Sequence, residues 1–119
     1  MNENYFILVK QNMLEMLKHS KSEFNKFKST KNTIYLQQSG EKLFNVVENY
    51  ISLINKMKID SFYDAKQLVI KDKPLQNLLF NVRELHRFLY HGINEYNIGY
   101  VEDLYKDILQ KTEERIKRL

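Results

Sequence analysis

The chain reads as an all-α protein, an antiparallel up-and-down bundle of four long helices plus one short helix, in a single domain over residues 1–119. Three observations predict this. Apolar residues recur at three-to-four residue intervals over long stretches, the signature of amphipathic helices. Three glycines and one proline leave few positions for tight turns or hairpins. A chain of 119 residues, 43% hydrophobic and 29% charged, can bury one core and would lose it if divided into two.

From Tyr5 to Phe27 the positions Phe6, Val9, Met13, Met16, Leu17, Phe24 and Phe27 keep a helical rhythm. The polar run KSTKNT interrupts it, and Ser29, Thr30 or Asn32 can cap a second helix by accepting its free amide hydrogens. That second helix carries the widest apolar stripe, from Ile34 and Tyr35 through Leu43, Phe44, Val46, Val47, Tyr50, Ile51, Leu53 and Ile54 to Met57. Ser39 and Gly40 fall inside it. A glycine there costs about 1 kcal/mol relative to alanine, so a neighbouring helix is expected to approach closely at Gly40. KIDS breaks the pattern, with Asp60 or Ser61 placed to cap a short helix through Phe62, Ala65, Leu68 and Val69. Pro74 suits the first turn of the next helix, where its missing amide is no loss, and Asp72 precedes it as a cap. This fourth helix runs to about His91 and stops at Gly92 in a left-handed conformation. After the loop GINEYNIG, Tyr100 to Leu119 form the last helix through Val101, Leu104, Tyr105, Ile108, Leu109, Thr112 and Ile116.

Composition excludes several function classes. Without cysteine there is no disulfide framework, thiolate metal site or thiol nucleophile. The longest apolar run, YFILV, is far too short to span a bilayer and lacks the flanks of a signal peptide, so a cytoplasmic protein with no membrane association is expected. No glycine-rich phosphate loop or nucleophile elbow occurs, and no cofactor is expected. Glu95, Glu102 and Asp103, around the last loop, read first as partners of a helix dipole. The heavy use of Lys, Asn, Tyr and Ile matches the bias of an AT-rich genome, so individual tyrosines and asparagines are not each assigned a role.

The net charge of +4 is unevenly spread. Five lysines between Lys18 and Lys31 face the single Glu23, and Lys111, Arg115, Lys117 and Arg118 crowd the last nine residues against Glu113 and Glu114. Such clusters attract phosphates through a salt-sensitive field, which makes Lys26, Lys28 and Lys31 candidate anion contacts. Their plainer reading is that lysines solvate helix ends, since no aromatic residues are interleaved with them for base stacking.

The densest chemistry lies in NVRELHRFLYHG, Asn81 to Gly92. Arg83, His86, Arg87 and Tyr90 are spaced i, i+3, i+4 and i+7 and share a helix face, with Asn81 and His91 at its edges, while Leu78, Val82, Leu85 and Leu89 form a separate core stripe. A histidine beside guanidinium groups is the combination that metal-independent RNA cleavage uses: imidazole removes the 2′-hydroxyl proton and arginine offsets charge developing on the phosphate. Arg83, His86 and Arg87 are therefore the candidate catalytic residues, and Asn81, Tyr90 and His91 candidate anion contacts. The plainer reading is that cations near a helix C-terminus complement its dipole. His86 and His91 are five residues apart and point to different sides, unlike the i, i+4 pair of zinc helices, and His19 has no evident partner, so no metal site is expected.

Two stretches, SGEKLFNVVENYISLI (Ser39 to Ile54) and VRELHRFLYHGINEYNIGYVEDLYKDILQKTEERI (Val82 to Ile116), resemble the HEPN superfamily of small helical bundles, in particular its archaeal PaREP-type branch. In that branch a small residue followed by EKL opens the long second helix, and a leucine-histidine pair followed by an aromatic-tyrosine and a loop precedes the last helix. The matching residues here are Ser39, Gly40, Glu41, Lys42 and Leu43, then Leu85, His86 and Tyr90, then Val101 onward. The resemblance covers about two-thirds of the chain. It implies an antiparallel bundle, commonly a homodimer, in a superfamily of metal-independent ribonucleases and noncatalytic RNA- or nucleotide-binding modules. The superfamily's catalytic pattern places an arginine before a histidine with four to six residues between. This sequence departs from it: neither Arg83 nor Arg87 has that spacing to His86 or His91, and the position that fits the interval before His86 is Asn81. Two readings follow, an RNA- or nucleotide-binding bundle with weak or lost ribonuclease activity, and a noncatalytic homodimer that engages a protein partner.

Overall fold

Asn32 opens the central helix. Its side chain accepts the amide hydrogen of Ile34 at 3.1 Å, and Lys31 just before it takes a left-handed conformation (φ 60°) that reverses the chain. In this computed structural model, which describes residues 3–119, the elements are α1 (Glu3–Thr30), α2 (Thr33–Asn55), α3 (Phe62–Leu68), α4 (Lys73–His91) and α5 (Ile98–Lys117). Of the expected caps, Ser61 starts α3 by accepting from Asp64, and Asp72 starts α4 by accepting from Leu75, with Pro74 in the first turn. Gly92 ends α4 with positive φ (101°) but an extended ψ (142°), rather than the left-handed helical conformation expected there. The α4–α5 loop closes on itself: the Asn94 carboxamide oxygen accepts from the amides of Tyr96 and Asn97, and Asn97 donates to the Gly92 carbonyl. This order lets α5 begin at Ile98, two residues earlier than its apolar pattern indicates.

α2 touches all four other helices, which explains why its stripe is the widest. Leu36, Leu43, Val46, Val47, Tyr50 and Ile51 are buried there against Met13, Phe24 and Phe27 of α1, Leu79, Val82 and Leu85 of α4, and Val101, Tyr105 and Ile108 of α5. The four long helices alternate in direction, so the α4 C-terminus, the α5 N-terminus and the α1–α2 turn share one end of the bundle. No Cα of α1 comes within 8 Å of one in α4. The molecule measures 44 × 25 × 23 Å, its long dimension matching the roughly 42 Å of a 28-residue helix such as α1.

Gly40 faces α4. A Cβ built there would lie 2.7 Å from a Leu89 methyl and 3.4 Å from one of Leu85, so the expected close approach is present and the absence of a side chain is what permits it. A buried polar node joins three helices: Ser20 of α1 donates to the Ser39 carbonyl of α2 at 2.7 Å and lies 2.7 Å from the Tyr105 hydroxyl of α5. Burial pushes the Tyr105 phenol up to about 12. At the opposite end Arg115 grips Asp72 with two hydrogen bonds of 3.0 and 3.1 Å, tying the α5 C-terminus to the α4 N-cap. Among the described residues no helix is long and apolar enough to cross a membrane.

Candidate nucleic-acid interface

The α2–α4 packing sets the position of the polar face of α4. Leu78, Leu79, Val82, Leu85 and Leu89 are buried, which turns Arg83, Arg87, Tyr90 and His91 outward and leaves His86 half-buried at the α2 side. The His86 ring rests on Phe44 of α2, with centroids 4.8 Å apart and planes inclined by 36°, and Tyr90 lies 6.4 Å away along the same helix. Arg83 lays its guanidinium 3.9 Å from the centre of the Phe62 ring of α3. No hydrogen bond or ion pair among the described residues engages the Arg83 N–H donors, which leaves them free for an anion. Arg87 turns the other way. With His91, Glu84 and Phe88 it lines a recess of about 330 Å³ at the α4–α5 loop.

The face expected to act as one unit is therefore a ridge with two flanks. Arg83 and His86 lie toward α2 and α3 against aromatic rings, while Arg87 and His91 lie toward α5 in the recess; the four groups do not converge on one cleft. Asn81 is not at the edge of this face. It lies about 140° around α4 from His86, in a groove beside Lys111 of α5. The lysines placed with these residues by composition sit elsewhere as well. Lys28 is paired with Glu102 of α5, Lys26 lies 5.8 Å from the centre of the Tyr35 ring, and Lys31 occupies the α1–α2 turn, so all three belong to α1 and the turn that follows it. The Lys28 ammonium holds the Glu102 carboxyl below its ordinary range. Lys21 is likewise paired, with Glu113 at 2.9 Å.

Arg83, His86, Arg87 and His91 differ from Lys21 and Lys28 in this respect and share it with Lys26 and Lys31. Among the described residues no carboxylate oxygen comes within 4.0 Å of Arg83, His86, Arg87 or His91, whereas eight ion pairs occur elsewhere in the chain. A helix dipole acts within the last turn; it accounts for His91 and not for Arg83, two turns earlier.

Three tyrosines follow at the end of α4, in the loop after it and at the start of α5. Tyr90 is 84% exposed and Tyr96 90%, and Tyr100 is half exposed, its ring edge-on to Phe88 at 5.4 Å. The Tyr100 hydroxyl donates to Glu84 at 2.9 Å, a bond that holds the proton on the phenol and raises its pKa. Sequence reasoning missed Tyr96, Tyr100 and Glu84. The spacing YHGINEYNIGY was visible, but composition bias argued against reading tyrosines singly, and only the loop's own hydrogen bonds bring Tyr96 to the end of α4. It also missed Glu48, half-buried on α2 one turn beyond Phe44, where burial raises its carboxyl pKa. Among the described residues no three His, Cys, Asp or Glu side chains are grouped to hold a metal ion. Compared with known proteins, the chain matches no family model, no curated protein and no solved structure.

Proposed function

We propose that this chain is a HEPN-like bundle of the cytoplasm that binds single-stranded RNA or nucleotides through the C-terminal half of α4. The observation that carries this reading is the occurrence along α4 and its following loop of four cationic or protonatable groups, Arg83, His86, Arg87 and His91, without a carboxylate partner among the described residues, together with two tyrosines, Tyr90 and Tyr96, that are almost wholly exposed. Guanidinium groups contact phosphates, and exposed aromatic rings stack on unpaired bases, each stack contributing about 1–3 kcal/mol. A double helix offers no such base faces, so the reading is specific to single strands.

The same geometry favours binding over cleavage. A ribonuclease needs a base and an acid at one phosphate, and His91, the other imidazole on α4, lies about 140° around the helix from His86. The role assigned to His86 is therefore contact with the strand from its seat on Phe44. Fluorescence anisotropy with a labelled single-stranded RNA and its duplex tests the reading: the single strand binds and the duplex binds less well. Equal binding of both, or binding of neither, overturns it.

A second reading, of a homodimer, is favoured by a different surface. The exposed Ile7, Leu8 and Leu14 of α1, Ile54 of α2 and Met57 just after it put apolar side chains on the surface of the α1–α2 pair. Light scattering at increasing concentration decides it, with Ile7→Glu expected to keep the chain monomeric; a wild-type mass that stays monomeric removes this reading.

A further inference from the structure

The recess at the α4–α5 loop contains a carboxylate that binding of phosphate alone does not explain. Glu84 sits one turn from Arg87, yet it pairs with no cation among the described residues; its Oε1 accepts the Tyr100 hydroxyl at 2.9 Å. A carboxylate has about four lone-pair sites, so Glu84 retains acceptor capacity on both oxygens, and Tyr100 fixes its orientation. Next to a bound polyanion a bare carboxylate is repulsive unless the ligand brings donors to it.

Among the four bases one Watson–Crick edge fits. Guanine presents two parallel donors, N1–H and the N2 amino group, spaced to match the two oxygens of a carboxylate. Adenine and cytosine each present a single amino group beside an acceptor, and uracil a single N–H between two carbonyls. The other walls suit a nucleotide. Phe88, held edge-on by Tyr100, gives an apolar surface for the base, and Arg87 and His91, one turn apart, give two donors for its phosphate. The volume of about 330 Å³ lies at the small end of ligand sites, the size for a single nucleotide unit.

We infer that this recess selects a guanine nucleotide, with the base edge on Glu84, the ring against Phe88 and the phosphate on Arg87 and His91. The inference rests on the proposed binding of RNA or nucleotides by α4 and names the base that one flank of it reads.

The test uses the intact protein, calorimetry with the four nucleoside 5′-monophosphates, and anisotropy with two short single strands, one all-adenine and one with a central guanine. A bidentate base contact discriminates by about fivefold or more, so GMP binds at least that much more tightly than AMP, CMP or UMP, and the guanine strand more tightly than the all-adenine strand. Glu84→Gln brings the four nucleotides to within about threefold of one another while binding of the all-adenine strand persists; Arg87→Ala weakens all four alike. Circular dichroism confirms that both variants stay folded. Equal affinities in the wild type, or a guanine preference that survives Glu84→Gln, overturn the inference and leave the RNA reading standing. Failure of every strand and nucleotide to bind overturns both.

Discussion

Replacing Gly40 probes the contact that seats the α4 face on α2. The Cβ of alanine would meet Leu89 at 2.7 Å, below any ordinary carbon contact, while two further methyl contacts at 3.4 Å hem it in. Leu89 is itself buried, so its methyl can yield only by leaving its rotamer or pushing α4 outward. Overpacking of this kind costs about 1–3 kcal/mol, and the better helix propensity of alanine offsets about 1 kcal/mol of it. Gly40→Ala is therefore expected to destabilise by up to about 2 kcal/mol, and Gly40→Leu, with three more carbons, by more. Urea denaturation reads this as a lower midpoint at unchanged slope. A double-mutant cycle sharpens it: Leu89→Ala alone opens a cavity, but in the Gly40→Ala background the new methyl occupies part of that space, so the pair costs less than the sum. Additive costs, or a stabilising Gly40→Ala, would refute the close approach. The consequence reaches the binding face, because the same packing places Phe44 under His86.

Tyr90→Ala and Tyr96→Ala each weaken single-stranded RNA binding by the loss of one stacked base, about 1–3 kcal/mol, with no change in urea midpoint, because both side chains lie almost entirely in solvent. Tyr105→Phe removes one bond of the Ser20 node and lowers stability by about 1 kcal/mol, read as a midpoint shift. In the pH dependence of stability, Asp72 and Glu48 act with opposite signs. Arg115 lowers the Asp72 carboxyl below its ordinary 3.8, so its contribution is complete above that value and fades as pH falls through the folded value; Asp72→Asn flattens that acid limb. Burial raises Glu48 above its ordinary 4.5, so its ionisation opposes folding as pH rises beyond that point, and Glu48→Gln stabilises at pH 7 but not at pH 4. RNA incubated without added metal stays equally intact with wild type and His86→Ala; cleavage that depends on His86 would turn the binding face into a catalytic one.

The helices were legible in the sequence from their apolar period, and three of them also from their caps. Asn32, Ser61 and Asp72 cap where their short polar side chains can reach a free amide, and Gly40 marked a helix contact that the structure places at Leu89. The candidate site was legible only along α4. The spacing of Arg83, His86, Arg87 and Tyr90 is a local property of one helix, and it turned Arg83, Arg87 and Tyr90 away from the core and left His86 at its margin. What each side chain meets is a tertiary property. That Arg83 would lie on Phe62, His86 on Phe44 and Arg87 in a recess beside Glu84 depends on how α3, α2 and the α4–α5 loop pack, which no periodicity encodes. The same limit explains the lysines: a cluster in sequence carried no sign that Glu102 and Glu113, about eighty residues away, would meet Lys28 and Lys21. Asn81, read at the margin of the α4 face, faces α5 because five residues of helix carry it well away from His86.

The most direct measurement is the salt dependence of single-stranded RNA affinity for the wild type and for Arg83→Ala/Arg87→Ala, with Lys21→Ala as a control outside α4. Each phosphate contact on a single strand contributes about 0.7 to the slope of log affinity against log salt. The account predicts that the double variant loses about 1.4 from that slope and much of its affinity at low salt, while Lys21→Ala, whose ammonium is held by Glu113, changes neither. A double variant with wild-type affinity and slope would contradict it.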